Sequence, residues 1–526
     1  MARRCNETGG AAGLPDMSGT TTAPGHAGTT ARPPDEAVRG RFVRVAAGVT
    51  GLGLALGGCA SFSPDAGLSV AGGYAALELR KDIVKADDQG VAPSADARVD
   101  ALLRRPLTAD GAVQVALLRN RGLQAAFNDL GVSEAQYVQA TLPPSPRLSI
   151  TQWGLGFNTE IERAVAASVL ELATLPVRVE IARQRFTADQ YNAAEQVLRL
   201  GGEARRQFYR TVAANQATAF LEQALAGAES ASTLAKQLGE TGALNKLEQA
   251  REHAFYSELG AQLAKARVQQ RAERERLTRL LGLWGRDVDF RLPNGLPSLP
   301  GRLVDGRAIE AEAMSKRADV QAARFELQSL VGRFGLNQAS GFVSVFDAGF
   351  ANRFSQSRTA GGEGAAPKVD KASLNGFSAD LVIPIYDFGT TAVRGAQESY
   401  LASANRLAER AVNARSEVRE AYQRYRGQYD ITRHYQTSVL PLRRTIQDQA
   451  LLQYSGMLLD VTTLIVDARA RILSNIQAIE AQRDFWIAAT DLKAATVGGG
   501  FSGGNFGGEA AGGTPGTSLA VATPGG

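Results

Sequence analysis

Covalent chemistry in this 526-residue sequence could come from its two cysteines, Cys5 and Cys59, and Cys59 has the more specific surroundings because Leu56-Gly57-Gly58 precedes it. Beyond Cys59 no disulfide framework or Cys-x-x-Cys metal site can exist. His26, His253 and His434 are scattered, and no Ser-His-Asp arrangement, metal-ligand cluster or glycine-rich phosphate loop stands out. No enzymatic activity and no cofactor are therefore expected. Met314 and Met457, the methionines that follow Cys59, are too few for a copper relay. Asp460 and Asp467 lie seven residues apart and so share one helix face. Repeated around an axis, they would form stacked acidic rings that narrow a passage and favour cations. Lys246, Glu248 and Arg251 stand at a similar point of the first half and could latch against these acids at about 0 to 1 kcal/mol per exposed pair.

Arg39, Arg41 and Arg44 precede an apolar run from Val45 to Leu56, the order of charge and hydrophobicity found in a secretory signal peptide. The run is too short to span a membrane as a stable helix. With Cys59 at its end it resembles the bacterial lipobox, in which small residues admit the signal peptidase and the thiol accepts a diacylglyceryl group. Ala60 and Ser61 place no aspartate after the cysteine, which fits sorting to the outer membrane. Residues 1–38 do not suit a signal peptide, and Val38 is a candidate initiator just before the basic region. The 58 basic and 53 acidic residues are interleaved, so the excess of five positive charges does not point to nucleic acid.

From Ala112 onward one plan runs twice. Leu123-Gln124-Ala125-Ala126 recurs as Val320-Gln321-Ala322-Ala323, after Arg121 and Arg317. Strand character follows at Leu148 to Trp153 and at Phe342 to Phe350, with returning strands at Ile161 to Leu172 and Gly376 to Tyr386. Pro176 and Pro384 are expected to end those strands. Long helix-forming stretches come next: Pro176 to Gly242 spans 66 residues and Gly389 to Gly456 spans 67. At 1.5 Å per residue each helix would reach roughly 100 Å. Gly201-Gly202 and Pro441 should bend or locally unwind them. Glycine turns at Gly242 and Gly456 are expected to adopt the left-handed conformation, and helices of half the length return over Lys246 to Leu281 and Asp460 to Ala495.

This order of elements resembles the TolC-like outer-membrane efflux proteins over residues 75–497. The most specific pieces are Leu381-Val382-Ile383-Pro384-Ile385-Tyr386-Asp387-Phe388-Gly389, at the strand-to-helix junction, and the two glycine turns followed by Ala250-Arg251 and Ala468-Arg469. The resemblance implies a mainly α protein whose long antiparallel coiled-coil helices form an α-barrel. It implies four β-strands per chain and a trimer with a twelve-stranded membrane β-barrel. Four strands alone cannot close a barrel, so oligomerisation is required in any case. The expected organisation is an extension and lipoprotein signal at 1–59, a periplasmic segment at 60–111, the repeats at 112–290 and 305–497 around a linker at 291–304, and a disordered Gly-rich tail at 498–526.

The expected function is a passive outer-membrane duct of a tripartite efflux system, anchored by lipid on Cys59 and extending into the periplasm. Its partners would be a periplasmic adaptor protein and an inner-membrane transporter of the RND or ABC type. The resemblance puts adaptor contacts at Gly242, Ala243, Leu244, Gly456, Met457 and Leu458, where exposed Leu244, Met457 and Leu458 need a partner. It puts the constriction at Asp460 and Asp467, although their spacing departs from the family pattern by about two residues. The alternatives are the duct of a type I protein secretion system or a lipid-anchored structural coiled coil.

Overall fold

The computed structural model describes residues 62–86, 93–154, 156, 158–242, 244–306, 308–359, 367–456 and 458–500. They belong to one unit, Ala60–Gly526. Cys5, Val38 and Cys59, with the whole signal segment, lie outside the described residues, as does the tail beyond Gly500.

The unit opens with α1 (Ser69–Tyr74), which widens into a π-helical turn at Ala75–Leu79, followed by α2 (Pro93–Leu103). The first half then runs α3 (Ala109–Arg119), α4 (Arg121–Thr141), β1 (Arg147–Trp153), β2 (Thr159–Ser168), α5 (Val169–Glu240) and α6 (Lys246–Leu281). The second half repeats the plan as α7 (Ile309–Lys316), α8 (Ala318–Ser340), β3 (Val345–Thr359), β4 (Lys368–Val382), α9 (Thr390–His434), α10 (Leu440–Ser455) and α11 (Val461–Val497). Helix α5 has 72 residues, about 108 Å at the usual rise.

Side-chain caps set several helix starts by accepting backbone N–H groups that the helix cannot pair. Thr108 begins α3, Asn120 begins α4, Asn245 begins α6 and Asp460 begins α11 in this way. Ser168 does the same for α5, which is why β2 stops there and not at Leu172. Pro176 therefore sits inside α5 and does not end the strand. It removes one backbone donor near a helix start, and the helix-forming residues on both sides carry the helix through.

Two further breaker positions behave differently. Gly201-Gly202 causes no interruption: both lie buried in continuous helix. A Cβ on Gly201 would stand 2.9 Å from Leu79 Cδ1, so the missing side chain lets the π-helical turn dock on α5. Pro441 follows a π-helical turn at Tyr435–Val439, in which the Leu440 N–H reaches back to the Tyr435 carbonyl. That widened turn absorbs the proline between α9 and α10.

Each half has its own core. Leu117, Leu118, Phe127, Val197 and Leu277 pack α3, α4, α5 and α6 together. Tyr425, Phe485 and Leu492 pack α9 on α11, with Ile309 of α7 beneath them. Trp486 touches both cores, stacking on Tyr209 at 5.5 Å and meeting Phe485 edge-on at 5.2 Å. Its indole N–H donates to the Pro297 carbonyl at 2.9 Å, as Gln482 does at 2.7 Å, and this ties the inter-half linker to α11.

Candidate functional site: a two-faced sheet carried on helical hairpins

The four strands form one antiparallel sheet in the order β1-β2-β3-β4. The ladder fixes which side chains share a face, since alternate residues point to opposite sides. Arg147 pairs with Ala166, Val165 with Phe350, and Phe350 with Phe377. One face consequently carries Leu148, Ile150, Val165, Phe350, Phe377 and Leu381, all exposed, with Phe377 at 92%. Arg163, Asn352 and Asn375 interrupt that face one row before Ile161 and Phe354, and the two amides bond each other at 2.7 Å.

The other face is largely polar, although Trp153 and Leu374 are exposed on it. Arg353 binds Glu162 at 3.0 Å and Glu160 at 3.1 Å, and Arg147 approaches Asp347 at 4.0 Å. Asp347 stands directly opposite Asp380, so acids outnumber bases around this end. A sheet that is apolar on one face and charged on the other suits a strand set between lipid and water. Outer strands β1 and β4 each pair on one side only, leaving two open edges.

Both second-half strands sit elsewhere than the sequence pattern indicates. Strand β3 extends to Thr359, and β4 starts at Lys368 and ends at Val382. The alternation through Ile383 and Ile385 continues past the ladder, because Pro384 opens a turn in which its carbonyl accepts from Phe388 N–H at 2.6 Å. Asp387 closes this junction by accepting from Gly389 N–H and from the Thr391 hydroxyl, contacts that hold its carboxyl below the usual range.

At the opposite end of the helices, Gly242 ends α5 at φ +75°, the left-handed geometry expected of it. Gly456 ends α10 at φ −83°, so this turn closes without a left-handed residue. Leu458 is 81% exposed. Leu244 is half-buried, not exposed, because it folds back against the cavity between the hairpins. Ala243 and Met457 lie outside the described residues.

Asp460 is the N-cap of α11: its carboxylate accepts from Thr463 N–H at 3.3 Å and from the Thr463 hydroxyl. Asp467 is half-buried about two turns further along α11. An ion pair between the hairpins is formed by Arg469 and Glu258 at 3.0 Å. The sequence pattern gave no sign of that pair, nor of the Arg353 clamp, since each needs the packing or the register to bring its members together.

The chain resembles the Campylobacter jejuni outer-membrane channel CmeC (14% identity, TM-score 0.62, covering 82% of this chain and 93% of that one). It also resembles the Vibrio cholerae outer-membrane protein VceC (15%, 0.61, 75% and 96%) and the open state of the Neisseria gonorrhoeae outer-membrane channel MtrE (17%, 0.58, 74% and 88%). No protein-family model and no curated protein sequence matches the chain. At these identities the likeness is one of fold. The predominantly helical architecture with one small antiparallel sheet is that of the TolC-like outer-membrane channels, as the sequence resemblance implies.

Proposed function

We propose that three copies of this chain close into an outer-membrane duct, with a twelve-stranded barrel continued by an α-barrel in the periplasm. The observation that carries this is the four-stranded sheet with a lipid-compatible face and two open edges. Unpaired edges cannot face hydrocarbon, so edge β1 of one copy pairs with edge β4 of the next. The polar face with Arg353, Glu160 and Glu162 then lines the water path. Its fold neighbours CmeC and MtrE are named as outer-membrane channels, which supports the same reading here.

In this reading the duct is passive and serves a periplasmic adaptor and an inner-membrane transporter of the RND or ABC type. The adaptor docks on the turns at Gly242 to Leu244 and Gly456 to Leu458, and Asp460 and Asp467 narrow the closed pore. Cys59 carries the lipid. Ser63, four residues after it, donates from its N–H and its hydroxyl to buried Glu134 at 2.6 and 2.5 Å. Glu134 lies in α4, the helix that leads into β1, so the first described residues are fastened at the sheet end of the helices.

Single-channel recording of the purified protein in a planar bilayer, with its mass measured in parallel, tests the proposal. Discrete conductance steps from a trimer-sized particle support it, and a monomer that never conducts defeats it. Conductance that rises when Asp460 and Asp467 become alanine supports the acidic constriction.

A further inference from the structure

Near their turn ends the hairpins α5/α6 and α10/α11 line an open-sided cavity of about 590 Å³. This is the size of a small-molecule site. Its wall is largely hydrocarbon, including Phe220, Leu234, Phe255 and Leu451. Two hydrogen-bond acceptors belong to the same wall. Glu252 of α6 is only 4% exposed and its Oε2 has no partner, and Gln447 of α10 has an unpartnered buried Oε1.

An ionised carboxylate with an unmatched oxygen in apolar surroundings is unfavourable unless something supplies a donor. Arg469 is the cation whose charge acts on Glu252, and its Nε is itself buried without a partner; the rest of its guanidinium is engaged, paired with Glu258 at 3.0 Å and over the Phe255 ring at 5.0 Å, and Arg469 is not part of the wall. Arg471 does contribute to the wall but is half-exposed, so solvent screens its charge while Glu252 is dehydrated.

We propose that the cavity is a binding site for a small amphipathic monocation, an aromatic or branched-alkyl primary amine. Its hydrocarbon lies against Phe220, Leu234, Phe255 and Leu451, and its ammonium donates to Glu252 and Gln447. Three ammonium protons match two acceptors with one left for a water. Because Glu252 and Gln447 sit on different hairpins, the ligand ties the hairpins together. That it would thereby hold a channel closed rests on the duct reading; its binding does not.

The test uses the full chain in phospholipid nanodiscs and equilibrium dialysis with three probes of one shape: 2-(2-naphthyl)ethylamine, 2-(2-naphthyl)ethanol and 2-naphthylacetate. The amine is expected to saturate at one per chain and to bind at least about ten-fold more tightly than the alcohol, a difference of about 1.4 kcal/mol. Glu252→Gln should remove that preference and leave alcohol binding unchanged. Ala468→Leu, which adds three carbons to the cavity wall, should weaken binding of both. Should Glu252→Gln fail to assemble, Gln447→Leu gives the same reading through the second acceptor. Equal binding of amine and alcohol overturns the proposal, as does tightest binding of the acetate or undiminished binding in Ala468→Leu.

Discussion

Arg206 Nε donates to Asp491 Oδ1 at 2.6 Å, and the two side chains, 285 residues apart in sequence, are 5% and 3% exposed. The pair fastens α5 of the first half to α11 of the second. Arg206 also donates to the Gly500 carbonyl at 2.7 Å, so the end of the described chain is held at the same point. Burial pushes the Asp491 carboxyl up while Arg206 opposes that shift. Truncating one member strands the other charge, and Arg206→Ala should destabilise the fold by about 3 to 5 kcal/mol. Thermal unfolding of the variant checks this; an unchanged midpoint would show that the halves do not depend on the pair.

The two faces of the sheet should tolerate charge unequally. Ile150 and Ser149 are neighbours on β1 but face opposite sides. Ile150→Arg puts a guanidinium on the apolar side, which in the duct reading meets lipid, at a cost of about 2 to 4 kcal/mol if the site is near the midplane. Ser149→Arg adds the same charge to the polar side and should leave assembly intact. The yield of membrane-inserted oligomer from each variant decides; equal yields would mean that the apolar face does not meet lipid.

Much of the architecture can be read from the sequence because long helices and their turns leave local marks. The uninterrupted Ala-, Gln- and Glu-rich stretches and the glycine turn at Gly242 are visible in composition and spacing. The strand limits are not. Residues Asn352 to Ser357 look like loop because β3 turns polar on both sides there, with Asn352 and Gln356 on the face of Phe350 and Arg353, Ser355 and Ser357 on the other. Gly201 resembles a helix breaker until Leu79, more than a hundred residues earlier, is seen to need its space. Glu252 resembles any solvated glutamate on a charged helix, and only the packing of one hairpin on the other dehydrates it.

Arg353 neutralises part of an acidic surface, holding Glu160 and Glu162 at 3.1 and 3.0 Å. Such exposed pairs contribute about 0 to 1 kcal/mol each, so Arg353→Ala should fold and assemble normally. Its electrostatic effect should be larger. In the proposed trimer three positive charges would leave the barrel wall, and cations should then be favoured more strongly. The reversal potential across a potassium chloride gradient should shift toward the potassium equilibrium value. No shift would place this face away from the ion path.

Glu252 should make the paired hairpins less stable as pH rises. Burial raises its carboxyl above the ordinary range, and the charge of Arg469 only partly counters this. A group whose pKa is raised in the folded state contributes stability that is fully present below its unfolded pKa and lost as pH rises through the folded value. The loss therefore begins above the ordinary glutamate pKa near 4.3. Glu252→Gln removes the ionisation, and the variant should match the parent in acid yet exceed it by about 1 to 3 kcal/mol at neutral to alkaline pH. Hydrogen exchange at Leu259 and Leu263, buried on α6 below the cavity, reads the local stability. Protection that stays equal in the two proteins across the pH range would show that Glu252 ionises there without cost, and hence that its unpartnered oxygen is hydrated.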